Sequence, residues 1–485
     1  MKRLMHLLLL AALLLPCACQ RTEDPVDTPT EKGLSYYTNL FAFNIMHTFY
    51  LWVDEMSDAL SDWKYGDDPV EKVASARYKD ADGNLVDKWT RVLPDYHSFL
   101  GSLTGNNLSY GFEFSLYYAD QAKEKVCMVV KYTYGSSPAA KAGILRGHVI
   151  TSLDGEELTA DNYTTLLQKF YESQSVRLGF STGKTVTLEA VQMYENPVQT
   201  SRTLTVNGKS IGYLHFTSFT MEATRDLERV FRTFKEKGVE ELVLDLRYNG
   251  GGYTLTSAVL ASMIAPPEDV TAGKIFNKEL FNAKLTEDNS ERSTTPFATD
   301  FHISSGRDSY SVHPGEVNPG IRKLWVITTE ETASASEALI CGLKPYMDVT
   351  LVGEKTYGKF CGGYLIQAQD WYTSLSKQKD NDEDCDKAIE HTKDWGIYVI
   401  SSRYSDCNGV TLSMPSGIPA DYQAKDNPLD GTQLGDPAET MFATALALSA
   451  GTQVNTKAPA TAGSLEPLPH ALPAEYGIRV NQPAL

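Results

Sequence analysis

Leu242-Val243-Leu244-Asp245-Leu246-Arg247-Tyr248-Asn249-Gly250-Gly251-Gly252 reads as strand, tight turn and helix. The first half is a short apolar run of the buried-strand kind. It stops at Asn249 and three consecutive glycines, and apolar residues resume at helical spacing with Leu255, Val259 and Leu260. Glycines are kept where a backbone must take positive φ or approach another group closely. A run of unobstructed N–H groups there can hold an anion. Alone, such a turn is a common structural connection. Two later segments, around Ser334 and Lys359, give it a chemical meaning.

Upstream, Ile211–Phe216 reads as a strand and Asp226–Lys237 as a helix, so strands and helices alternate and the layer class is α/β. Residues 266–320 are polar with few periodic runs and read as an excursion over the surface. Leu324–Thr329 is the next strand, followed by Glu331-Thr332-Ala333-Ser334-Ala335-Ser336-Glu337, whose last part opens a helix. Ser334 thus sits where the first helical N–H groups lack partners and the dipole favours negative charge. Its structural role there would be an N-cap, with Glu337 completing a capping box. The next strand, Val349–Gly353, leads through Glu354-Lys355-Thr356-Tyr357-Gly358 to Lys359. A lysine held against an apolar wall loses pKa and can take a proton from a serine.

Asp245–Gly252, Ala333–Glu337 and Glu354–Lys359 together resemble the C-terminal-processing (tail-specific) serine–lysine peptidases, as do Gly417-Ile418-Pro419-Ala420-Asp421 and Leu434-Gly435-Asp436-Pro437. The resemblance runs from about residue 88 to Ala447. It implies a crotonase-like β/α spiral core, Ser334 as nucleophile and Lys359 as general base. The oxyanion hole would come from the Ala335 amide and that of Gly251 or Gly252, with no metal or cofactor. Tyr357 stands where the family usually has Phe, and Gly363 where many members carry a glutamine that orients the lysine; Gln367 is the nearest substitute in sequence.

Residues 103–190 read as a unit of short strands. Ser137-Pro138-Ala139-Ala140, Ala142-Gly143 and Arg146-Gly147-His148 resemble a protease-associated, circularly permuted PDZ domain, with His148 where Asp is usual. The resemblance makes the Gly111-Phe112 turn the site for a peptide's terminal carboxylate, the peptide adding as a strand beside it. Residues 34–102 read as a helical region, in which Asp95 and His97 cap or pin a turn because no nucleophile lies nearby.

Lys2 and Arg3 followed by the apolar run Leu7–Leu15 form a secretory leader too short to span a bilayer comfortably. Its end, Pro16-Cys17-Ala18-Cys19, resembles a bacterial lipobox, with Cys19 as the lipidated residue. Glu23 and Asp24 resemble the surface-export signal of some Bacteroidetes lipoproteins. The net charge of -18 in 485 residues argues against nucleic acid and anionic membrane surfaces as partners. Five cysteines remain beyond the leader with no metal-type spacing, and a pair such as Cys385 with Cys407 is open to oxidation in an exported protein. Asp380–Asp386 lacks the glycine and the terminal glutamate of a calcium loop and reads as a solvated acidic loop.

The expectation is an α/β multidomain protein: leader 1–19, tether 20–33, helical region 34–102, PDZ-like unit 103–190, catalytic domain 191–450 and an Ala/Pro-rich arm 451–485. Its function would be that of a lipid-anchored serine endopeptidase of the cell envelope, on the outer membrane facing the periplasm or the cell surface. The substrate would be a polypeptide recognised by its C-terminal tail. The alternatives are a non-catalytic ligand- or peptide-binding protein on the same fold, and a PDZ-led scaffold.

Overall fold

The computed structural model describes residues 32–56, 60–103, 105–288, 293–305, 308–378, 382–412, 414, 416–452 and 465–468. The expected leader over 1–19 with Cys19, the expected tether up to residue 31 and most of the expected 451–485 arm lie outside the described residues.

The stretch Leu242–Gly252 begins in the third strand of a six-stranded sheet. In spatial order the strands are Val198–Val206, Lys209–Phe216, Glu241–Asp245, Lys323–Thr328, Asp348–Gly353 and Tyr422–Gln423. The first two make an antiparallel hairpin and every later pair is parallel. Parallel strands are covered on both faces, which is why their sequences are unbroken apolar runs. Leu242, Leu244, Leu324 and Val326 enter one core with the helices Ala223–Glu236, Thr254–Ile264 and Ala335–Leu343. Val243, Trp325 and Ile327 face the other way, against Met441 and Phe442 of the helix Thr440–Ser449. Each such fully buried large side chain contributes about 2 kcal/mol of burial.

A second sheet carries Arg91–Leu93, Gly396–Ser405, Ile275–Phe281 and Thr294–Pro296, with Cys361–Gln367 also paired to Gly396–Ser405. The helix Leu34–Phe49 packs on it, and the aromatic residues Tyr37, Phe41 and Trp63 fill that core. Two expectations change here. Residues 266–320 are not a surface excursion: Phe276, Phe297, Ile303 and Val317 are buried in the main core, and Ile275–Phe281 is a strand of the second sheet. Periodicity missed them because their apolar residues are spread over short elements. The 34–102 region is not wholly helical either, since Arg91–Leu93 pairs antiparallel with Gly396–Tyr398.

A separate β-unit contains Phe112–Tyr118, Val126–Thr133, Val149–Leu153, Ser175–Phe180 and Thr185–Glu189 in antiparallel order around the helix Tyr163–Glu172, with its own core. Asn106–Ser109 and Val191–Tyr194 pair antiparallel where the chain enters and leaves it. No described helix is long and apolar enough to cross a membrane.

Candidate active site

Asp245, Thr328 and Gly353 end three neighbouring parallel strands in register, Asp245 opposite Ile327 and Thr328 opposite Gly353. The glycine turn, the Ser334 loop and the Lys359 loop therefore leave the sheet side by side from its carboxyl edge, where α/β sheets place their sites. Hydrogen bonds lock them together. Ala333 N–H and Ser336 Oγ both donate to the Asn249 carbonyl at 3.0 Å. Thr332 Oγ1 donates to Leu246 O at 2.8 Å, and Tyr357 N–H to Thr332 O at 2.9 Å.

Ser334 is fully buried and has φ 57° and ψ -114°, a conformation that L residues rarely adopt and that must be held by its surroundings. Gly251, at φ 110°, lies directly on it: a Cβ there would sit 2.7 Å from Ser334 Cβ and 2.9 Å from Ala335 N. Gly252, at φ 138°, is pressed against Phe219, whose carbonyl would be 2.5 Å from an added Cβ. The Gly251 amide is engaged by Asn249 Oδ1 at 2.9 Å. The amides of Gly252 and Ala335 have no hydrogen bond within the protein among the described residues. Ser334 Oγ is also buried without a hydrogen-bond partner.

Glu337 ties the serine to the lysine. Its carboxylate accepts Ser334 N–H at 2.9 Å, Lys359 N–H at 2.8 Å, Gly358 N–H at 2.7 Å and Thr356 Oγ1 at 2.5 Å. The placement is that of a capping box, but three of the four donors come from the Thr356–Lys359 loop. Burial pushes its pKa up, while these donors favour the charged form. The sequence marks Glu337 only as a cap; its reach to a second loop has no local signal. Thr356 is in turn held by Ile418, whose N–H donates to Thr356 Oγ1 at 2.7 Å.

Lys359 is 2% exposed. Its pKa falls from 10.5 to about 8, chiefly through burial; Arg91 adds to the fall, and Cys361, Asp87 and Glu337 oppose it. Its Nζ lies 5.2 Å from the Trp89 ring centre and 5.6 Å from that of Tyr398. Gly363 has a steric cause. A Cβ there would meet Val399 O at 2.4 Å and the Tyr398 ring at 2.7 Å, so Tyr398 fills the space a side chain would need. Gln367 does not replace the missing glutamine, because its Nε2 donates to Lys393 O at 2.8 Å and lies 3.3 Å from His97 Nε2.

Behind the glycine turn, Arg247 is fully buried and bound to Asp245, Asp426 and Glu439. Arg146 of the β-unit joins it through Asp426 at 2.5 Å and through Tyr248 Oη at 2.9 Å. Burial alone would raise Asp245 and Asp426, but the guanidinium groups hold both below the usual carboxylate range. Lys131 of the same unit pairs with Glu331, beside the serine loop, at 2.7 Å.

Gly111 has φ 87° and its N–H goes to Ser109 Oγ at 2.9 Å, while Phe112 is buried in the β-unit core. Asp95 caps the helix Tyr96–Leu103 by accepting Ser98 N–H at 2.9 Å. Cys385 packs under the N-terminal helix and Cys407 lies elsewhere beside Tyr346; the five described cysteines form no disulfide with one another. No metal-type cluster of His, Cys, Asp and Glu occurs among the described residues.

Residues 210–422 match the model of peptidase family S41. The chain is 29% identical over 271 residues to the chloroplastic carboxyl-terminal-processing peptidase 2 of Arabidopsis thaliana, covering 53% of this chain and 46% of that protein. It is 24% identical over 299 residues to a carboxy-terminal processing protease of Bacillus subtilis, covering 60% and 56%. The match thus spans about half the length of these relatives. In fold it is similar to a Bacteroides fragilis protein described as an S41 protease, with TM-score 0.63, 22% identity, and coverage of 88% of this chain and 99% of that one. The mixed α/β unit of this chain, with its serine and lysine loops on one sheet edge, is therefore similar over residues 210–422 to peptidase family S41.

Proposed function

We propose that this chain is a serine endopeptidase in which Ser334 is the nucleophile and Lys359 the general base. The observation that carries the reading is the Glu337 carboxylate, which accepts the backbone N–H groups of both residues and so fixes the two loops as one unit. A lysine whose pKa is brought to about 8 is partly neutral near pH 7 and can act as a base.

In this mechanism Ser334 Oγ attacks the peptide carbonyl while neutral Lys359 takes its proton. The carbonyl oxygen becomes an oxyanion facing the unengaged amides of Ala335 and Gly252, each worth about 3 kcal/mol in comparable sites. Of the two glycines expected to supply the second donor, Gly252 is favoured, because Asn249 holds the Gly251 amide. Lys359 then protonates the leaving amine, and water enters to release the acyl group from Ser334.

The β-unit would act as a PDZ-like module that engages the C-terminal tail of a polypeptide substrate near the Gly111-Phe112 turn. Lipidation at Cys19 would anchor the protein at the outer membrane, on its periplasmic or its outer side. The non-catalytic alternative is not favoured: a structure kept only for binding has no need of a fully buried lysine, which costs stability.

The test is incubation of an unfolded protein bearing a free apolar C-terminus with the parent chain, Ser334→Ala and Lys359→Ala, the products being followed by mass spectrometry. Cleavage by the parent and by neither variant is expected. Equal cleavage by Lys359→Ala would remove the lysine from the mechanism.

A further inference from the structure

The outer edge of the β-unit is already occupied. Its strand Phe112–Tyr118 pairs on the inside with Val126–Thr133 and on the outside with Glu466–Pro467, a segment from the far end of the chain. The pairing is antiparallel, with Glu466 opposite Tyr118 and Pro467 opposite Tyr117, and Leu468 N–H donates to Leu116 O at 2.9 Å. Side chains add to the ladder. Leu468 packs on the β-unit core, and Glu466 pairs with Lys123 Nζ at 2.6 Å. Pro467 falls between the residues that face the neighbouring strand, a position where an edge strand needs no N–H.

An open strand edge is a template for any extended chain, and adding a strand is a common way to bind a peptide. The polarity is informative. From Glu466 to Leu468 the segment advances from Tyr118 towards Leu116, that is, towards Phe112 and the Gly111 turn. A peptide on the same edge with the same polarity would point its C-terminal end at that turn. This is the direction required by the tail-recognition reading above, on which the inference rests.

We propose that the segment 465–468 is an internal ligand, seated on the edge of Phe112–Tyr118 where the tail-recognition reading places the substrate, and that an incoming peptide must displace it. The contacts define the ligand class: an extended segment with a carboxylate side chain for Lys123 and, two residues on, a leucine-sized apolar side chain. The internal segment is a weak ligand by itself, with a short ladder, one apolar side chain and a solvent-exposed ion pair. Tethering raises its local concentration to about the millimolar range, so it excludes weaker ligands and yields to stronger ones.

The test uses Ser334→Ala chains, so that no peptide is consumed, and a fluorescent peptide of the sequence of residues 463–470, with binding read by anisotropy. A chain ending at Thr452 and the full-length Leu468→Asp variant should both bind the probe about tenfold more tightly than the unaltered full-length chain. In the shortened chain, Lys123→Glu should weaken binding, and a probe with lysine in place of its glutamate should recover it. Equal affinity with and without residues 453–485, or no binding by either chain, would overturn the proposal. Because binding is read without turnover, a failure of peptidase activity in the parent would be a separate result.

Discussion

Replacing Lys359 with methionine should abolish peptide hydrolysis and at the same time stabilise the fold at neutral pH. Burial lowers the lysine pKa from 10.5 to about 8. At about 1.36 kcal/mol per pKa unit, holding the charged form inside the protein costs about 3 kcal/mol. The sign comes from proton linkage: below pH 8 the lysine is charged in both the folded and the unfolded chain, so the whole penalty is present. Between pH 8 and 10.5 the folded chain holds fewer protons than the unfolded one, so native stability rises with pH. Methionine fills a similar volume beside Trp89 and Tyr398 without the charge. Denaturant unfolding of the parent and of Lys359→Met at pH 7 and pH 10 should therefore show a gain of about 3 kcal/mol at the lower pH that shrinks at the higher one. A variant less stable than the parent at pH 7, or a gain that does not change with pH, would refute the reasoning.

The same pKa sets the activity profile: kcat/KM should rise with pH as Lys359 loses its proton and level off above about pH 8, and a flat profile from pH 6 to 9 would exclude a lysine base of this kind. Glu337→Gln cannot accept all four hydrogen bonds, so it should cost about 2–4 kcal/mol in stability and about a hundredfold in kcat, measured by denaturation and peptide hydrolysis. Gly251→Ala puts a methyl group 2.7 Å from Ser334 Cβ and should lower kcat by a similar factor, with a smaller effect on KM. Tyr398→Phe removes a buried hydroxyl with no hydrogen-bond partner and should leave stability unchanged or raised by about 1 kcal/mol, with the pH profile intact.

The central strands were legible because parallel strands covered on both faces carry continuous apolar runs, as Leu242–Leu244 and Leu324–Ile327 do. The Ser334 and Lys359 loops were legible too, since each is a short motif at the end of such a strand. What joins them was not. Glu337 reaches 22 residues along the chain to the Lys359 amide, Arg146 reaches 280 to Asp426, and no periodic pattern records contacts of that span. The absence of a glutamine at Gly363 read as a gap. In three dimensions the space belongs to Tyr398, a residue on the neighbouring strand that sequence order sets far away. The arm past residue 451 had no period to read, and the docking of Leu468 depends on one leucine and one ion pair.

The most direct measurement of the central claim is covalent labelling of the parent chain by a fluorophosphonate probe, which reacts with activated serine hydroxyls, followed by peptide mapping. A single adduct on Ser334, forming faster as pH rises towards 8 and absent in Lys359→Met, is the predicted result. Labelling at another residue, or equal labelling of Ser334 in Lys359→Met, would contradict the account.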